Sequence, residues 1–183
     1  SGGGSANVSI VSRHGIVVTD STYEAGLSMD QAVMTRVREK YKVQLGRQAA
    51  ERLKQQLGIL WDVTGALEAA EAAGKSLESG LPVKVGVTGE DTANALRPIM
   101  QVLCRKILGV LQKTPPALLA DIRDHGIMLS GGCAQLKGLD VMVTRVTGIP
   151  AYVVEQPMYV NAIGAGAALE YMDYMRDSLQ DLH

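Results

Sequence analysis

The sequence predicts an α/β fold, a mixed sheet flanked by helices. Three observations predict it. Short stretches alternate in hydrophobicity with a period of two, longer stretches repeat apolar residues at helical spacing, and the two kinds follow one another along the chain. The 183 residues suit one domain or two small subdomains sharing a core.

Residues 6–12 (Ala-Asn-Val-Ser-Ile-Val-Ser) alternate, and residues 15–19 follow after Arg13-His14, so the pair reads as a hairpin. Ser28 has the character of an N-cap for a helix over 28–42, with Met29, Val33, Val37 and Tyr41 on one face. A second helix is expected over 47–57, stopping at Gly58. Residues 66–73 are rich in Ala and Glu, which favours helix by propensity alone. Residues 82–87 alternate as a strand. Thr88 with Asp91 three residues on has the form of a capping box, opening a helix toward Gln112. Pro98 inside that helix predicts a kink or a break. Thr114-Pro115-Pro116 predicts a helix start capped by Thr114. Residues 126–133 (Gly-Ile-Met-Leu-Ser-Gly-Gly-Cys) form a short apolar strand entering a glycine turn, with an amphipathic segment over 136–146 behind it. Gly148-Ile149-Pro150 ends that segment. A strand over 151–154 and a helix over 160–179 complete the order.

Composition narrows the function classes. Hydrophobic residues make up 46% and charged residues 20%, as in soluble globular proteins. The formal net charge of −1 offers no field to attract nucleic acid or an anionic membrane. Phe is absent and aromatics are 4%, so stacking platforms for single strands are scarce and nucleic acid is not expected as a partner. Cys104 and Cys133 have no metal-like spacing and make no disulfide framework, which fits a reducing cytoplasm. No apolar run is long enough to span a bilayer, and no signal peptide is recognisable, so direct membrane insertion is not expected.

Two glycine-rich turns are the candidate chemistry. In Ser1-Gly2-Gly3-Gly4-Ser5, just ahead of the first strand, backbone N–H groups can converge on phosphate oxygens. By composition alone the same residues also read as a flexible linker. The turn at Gly131-Gly132 lies between a strand and a helix, where bare backbone lets a base or ribose approach. Glu51 and Lys54 share a face of the second helix and also read as a solvated ion pair. His14 and His125 each precede a glycine and read as turn residues. The chain carries no Ser/His/Asp order, paired carboxylates, Walker A lysine or zinc spacing, so no metal site is expected from its residues.

In this order the pieces resemble the MreB (rod-shape) branch of the bacterial actins. Gly2-Gly3-Gly4-Ser5 with the hairpin after it is similar to that family's second phosphate loop, and this register favours the loop over the linker. Ala25-Gly26, Met29-Asp30, and Ala50-Glu51-Arg52-Leu53-Lys54 with Leu57-Gly58 match its next loop and adenosine-side helix. The most specific match is Asp124 to Gly132 (Asp-His-Gly-Ile-Met-Leu-Ser-Gly-Gly) followed by Leu136-Lys137-Gly138-Leu139-Asp140. Gly148-Ile149-Pro150 and Ala162-Ile163-Gly164-Ala165-Gly166 complete it.

The resemblance implies an actin-like ATPase (ribonuclease H-like) fold of two halves clasping ATP or ADP with magnesium, of which this chain is the second. The core subdomain would cover residues 1–59 and 111–183, and a small α+β subdomain residues 60–110. Residues 69–73 would then be extended, against their propensity. Gly2, Gly3, Gly4 and Ser5 would meet the phosphates, with Ser5 near the attacking water as the one catalytic candidate. Glu51 and Lys54 would border ribose and adenine, and Gly131, Gly132 and Cys133 the adenosine pocket.

The sequence departs from the family pattern at Leu27 and Arg47, where acidic residues are usual, and at Cys133, where a third glycine is usual and a side chain would narrow the pocket. The metal-holding acidic residue ahead of the first loop and the whole first half have no counterpart, so the chain alone is expected to turn over no ATP. The implied role is a cytoplasmic filament protein organising cell shape or an intracellular structure, reaching the inner membrane face only through rod-complex or organelle partners. A nucleotide-independent scaffold is the alternative. With the strand that enters the first loop missing, the hairpin edge is expected to drive self-association, strand swapping or capture of a companion segment.

Overall fold

The computed structural model describes residues 3–13, 15–60 and 68–167. The chain opens with an antiparallel hairpin, β1 (Ala6–Ser12) and β2 (Gly15–Thr22), whose register shifts between Ile10 and Val11. Helix α1 (Gly26–Tyr41), strand β3 (Val43–Leu45) and helix α2 (Arg47–Leu57) follow. Strands β4 (Ala69–Ser76) and β5 (Pro82–Thr88) lead into the long helix α3 (Gly89–Gln112). Helix α4 (Pro116–His125), strand β6 (Ile127–Leu129), a 3-10 turn (Gly132–Gln135), helix α5 (Leu139–Thr147) and strand β7 (Ala151–Val153) complete the order, with residues 160–167 in a last helix, α6.

Strands and helices interleave, so the α/β fold expected from the sequence is the fold found. Among the described residues the strands form three sheets: β1-β2, the antiparallel β3-β4-β5, and the parallel pair β6-β7. Residues 69–73 are extended, as the family resemblance implied and propensity did not. Five register pairs with β5, from Ala69 with Thr88 to Ala73 with Lys84, supply the tertiary pairing that overrides helix preference in so short a run.

Helix α3 is the spine of the core. Leu96, Met100, Leu103 and Ile107 recur on its buried face and join one core cluster with Met29, Val33 and Val37 of α1. Of the kink or break expected at Pro98, no break occurs; the helix runs unbroken from Gly89 to Gln112. The apolar residues on either side of Pro98 are buried, and that packing holds the turn through a missing hydrogen bond.

Two caps differ from expectation. Helix α1 starts at Gly26 with Ala25 as N-cap, and the Ser28 hydroxyl instead donates to the Tyr23 carbonyl. Helix α4 is capped by Pro115, while Thr114 is buried and its Oγ1 donates back to Val110 O at 2.8 Å. The Thr88 cap is as expected, its Oγ1 accepting from the Asp91 N–H. The far end of the helix expected over 160–179 lies outside the described residues, as do His14, Ser1 and Gly2.

Candidate functional site

The first glycine turn is anchored by one hydrogen bond from the start of α1. The Leu27 N–H donates to Gly3 O at 2.8 Å. Gly3 and Gly4 are exposed and Ser5 is half-buried. A methyl group added at Gly4 would meet nothing within 4 Å, and one at Gly3 would meet only the Leu27 side chain, 3.7 Å away at its nearest. The turn therefore has room on its outer side for a ligand. Leu27 itself is 46% exposed and puts an apolar side chain at the turn's margin.

Helix α2 is tied to the same place from the other side. Ala50, Leu53 and Leu57 form its buried stripe, which directs Lys54 inward toward α1. The Lys54 ammonium lies 2.6 Å from Asp30 Oδ1, in a pair whose side chains are 13% and 5% exposed. It also donates to Gly26 O at 3.2 Å. Gly26 adjoins Leu27, so one ammonium braces the segment that holds Gly3. The surface ion pair between Glu51 and Lys54 that the sequence allowed is replaced by this buried one, and Glu51 stays exposed.

The second glycine turn follows β6. Gly131 has φ +85°, a conformation glycine adopts without strain, and its N–H donates to Pro157 O at 2.6 Å. Gly132 opens the 3-10 turn, with the Met158 sulfur 3.3 Å from where a Cβ would stand. Cys133 is buried and joins the hydrophobic core with Leu136 and Leu139. Its side chain supports the turn from the core side. Just beyond, Ile59 and Lys137 form a parallel bridge, with Lys137 N donating to Gly58 O at 3.1 Å and Leu60 N to Lys137 O at 2.9 Å.

Three segments far apart in sequence are thereby joined in one continuous path. Gly3 is held by the N-terminus of α1, α1 by Lys54 of α2, and the end of α2 by the residues behind Gly131–Cys133. The remaining candidate, His125, donates from Nδ1 to Asp121 O at 2.8 Å and closes the end of α4, the turn role expected of it.

Sequence reasoning missed the strongest polar cluster. Asp91, almost fully buried, accepts from Lys40 Nζ at 2.8 and 2.9 Å, from Tyr41 Oη at 2.6 Å, from Thr88 Oγ1 at 2.8 Å and from the Arg36 guanidinium at 3.2 Å. Burial alone would raise its pKa, but the hydrogen bonds from Lys40, Tyr41 and Thr88 outweigh it and hold the carboxyl well below the usual carboxylate range. The capping box marked Asp91; nothing in the spacing marked Arg36 and Lys40, which lie more than 50 residues away. The cluster clamps α1 to the start of α3. Among the described residues no group of three His, Cys, Asp or Glu side chains could hold a metal ion. No described helix is long and apolar enough to cross a membrane.

The family model of the MreB/Mbl protein matches residues 1–177. The chain is 33% identical over 172 residues to the cell shape-determining protein Mbl of Bacillus cereus, covering 94% of this chain and 51% of that protein. It is equally identical, over as many residues, to the cell shape-determining protein MreB of Escherichia coli K12, with 94% and 49% covered. The chain thus spans about half the length of the curated relatives it matches. Among solved structures, MreB5 of Spiroplasma citri bound to ADP superposes with a TM-score of 0.91 at 24% identity, over 96% of this chain and 53% of that one. The MamK double helical filament superposes at 0.69 and 20% identity, over 86% and 49%.

Proposed function

The chain belongs to the MreB/Mbl family, and from that premise we propose that it forms one wall of the nucleotide cleft of an actin-like, filament-forming cytoskeletal protein that organises cell shape or an intracellular structure. The observation that carries this reading is the path from Gly3 through Leu27, Lys54 and Gly58 to Gly131, which fixes two glycine turns on either side of α2. In this reading Gly3, Gly4 and Ser5 present backbone and hydroxyl donors to phosphate oxygens, and Gly131 and Gly132 leave the backbone bare for the adenosine. Glu51, exposed on α2, faces the ribose side. A structural relative crystallised with ADP supports nucleotide as the ligand class, and one seen as a filament supports self-association.

ATP or ADP supplies the phosphate charge the first turn is built to accept. Magnesium bound with the nucleotide would neutralise phosphate charge, and Ser5 would stand at the phosphate end of this wall. The second reading, a nucleotide-independent scaffold, is favoured by one observation: Leu27 places an exposed apolar side chain beside Gly3 where charge complementarity would be expected. Electron microscopy of the concentrated chain, with and without ATP and magnesium, separates the two. Filaments that respond to nucleotide fit the first reading, filaments indifferent to it fit the scaffold, and their absence under both conditions contradicts self-association.

A further inference from the structure

Helix α1 ends in four cations at alternate positions, Arg36, Arg38, Lys40 and Lys42. Two steps along a helix turn a side chain by about 200°, so the four form two rows on opposite sides. The row of Arg36 and Lys40 closes on the buried Asp91 carboxylate. The row of Arg38 and Lys42 lines a groove of about 340 Å³ instead, and among the described residues neither forms an ion pair. Glu39 is the one acid lining that groove, so positive charge is in excess there. Lys42 is held in place by its backbone, which is left-handed at φ +56° and whose carbonyl accepts the Leu77 N–H at 2.8 Å.

The chain carries one set of carboxylates that matches. On the described helices Asp121 and Asp124 are the only two acids one turn apart, and both are exposed at the end of α4. Among the described residues neither forms an ion pair. Arg38 and Lys42 are in turn the only two cations at such a spacing that no acid claims. Side chains three or four residues apart stand about 5–6 Å from one another, so the two rows agree in spacing as well as in opposite sign. No residue of α4 lines the groove, so the match lies between copies and not within one.

We propose that the groove of Arg38 and Lys42 receives the Asp121–Asp124 end of α4 from a second copy of this chain. The contact joins two different patches, so every pair keeps one free patch of each kind and can go on adding copies. It gives the self-association in the proposed function a surface and rests on that reading, but it involves neither glycine turn. Exposed ion pairs are individually weak and are screened by salt, so the contact belongs to high protein concentration and low ionic strength.

The test is sedimentation equilibrium of the full chain and two charge reversals, Arg38→Glu with Lys42→Glu, and Asp121→Lys with Asp124→Lys. The parent should associate, about tenfold more weakly in high salt. Each reversal alone should stay monomeric, since its two patches then carry like charge. An equimolar mixture of the two should associate again, because opposite signs are restored at every contact between them. Should a reversal unfold by circular dichroism, Arg38→Gln with Lys42→Gln and Asp121→Asn with Asp124→Asn must each abolish the salt-dependent association. Reversals that associate as the parent does, or a mixture that stays monomeric, would overturn the contact and leave self-association standing. A parent that is monomeric at every concentration would overturn both.

Discussion

Lys54 Nζ stands 2.6 Å from Asp30 Oδ1 and makes the end of α1 nearest the first glycine turn depend on α2. Asp30 Oδ1 is buried and accepts no well-aligned hydrogen bond, so this ionic contact is what compensates its burial. Lys54→Met should cost about 3 kcal/mol in urea unfolding, because it strands a buried carboxylate. Adding Asp30→Leu should restore at least 1 kcal/mol of that loss, the coupling expected of groups in contact. Strict additivity of the two substitutions would mean that the pair does not brace α1.

Asp91 gives the chain an acid-sensitive clamp. Its folded pKa lies below the value of about 3.9 for the unfolded chain, so its contribution is present above that pH and is lost as pH falls toward the folded value. Asp91→Asn should destabilise by about 2 kcal/mol at pH 7, and the gap from the parent should narrow by pH 3. Denaturant midpoints across that range check it; a gap that widens in acid would contradict the sign.

Gly126 has φ +83°, and a Cβ there would come within 2.6 Å of the Tyr152 ring and 2.7 Å of Pro150 O. Gly126→Ala should therefore cost about 2 kcal/mol or more, loosening β6 against β7. Thermal unfolding with no loss of midpoint would show that the strand entry tolerates a side chain.

Cys133 supports its turn from the core. Cys133→Gly should lower stability by about 1–2 kcal/mol through a lost buried side chain and a freer backbone. Calorimetry should find ADP affinity unimproved. Tighter binding in the variant would show instead that the thiol crowds the pocket.

The legible parts of the sequence were those where a local signal and the tertiary structure agree. Periodicity placed α2 and β5, and the Thr88 box placed the start of α3. Where packing overrides local preference the sequence misled: α3 has no break at Pro98, and Ser28 and Thr114 donate their hydroxyls to carbonyls instead of capping N–H groups. Residues 69–73 needed the family resemblance, since only pairing with β5 makes an alanine-rich run extended. The glycine turns were visible as motifs, but the inward aim of Lys54 was not. It depends on Asp30 lying one helix away, a relation that spacing along one helix cannot express. The Asp91 cluster was hidden for the same reason, its cations being brought by α1.

The most direct test of the central claim is ADP titration of the isotope-labelled chain, followed by backbone amide shifts. The account expects weak, saturable binding with shifts at Gly3, Gly4, Ser5, Gly131 and Gly132 together, and none along β4 and β5. ADP at millimolar concentration that moves neither glycine turn, or moves one without the other, would contradict a shared nucleotide wall.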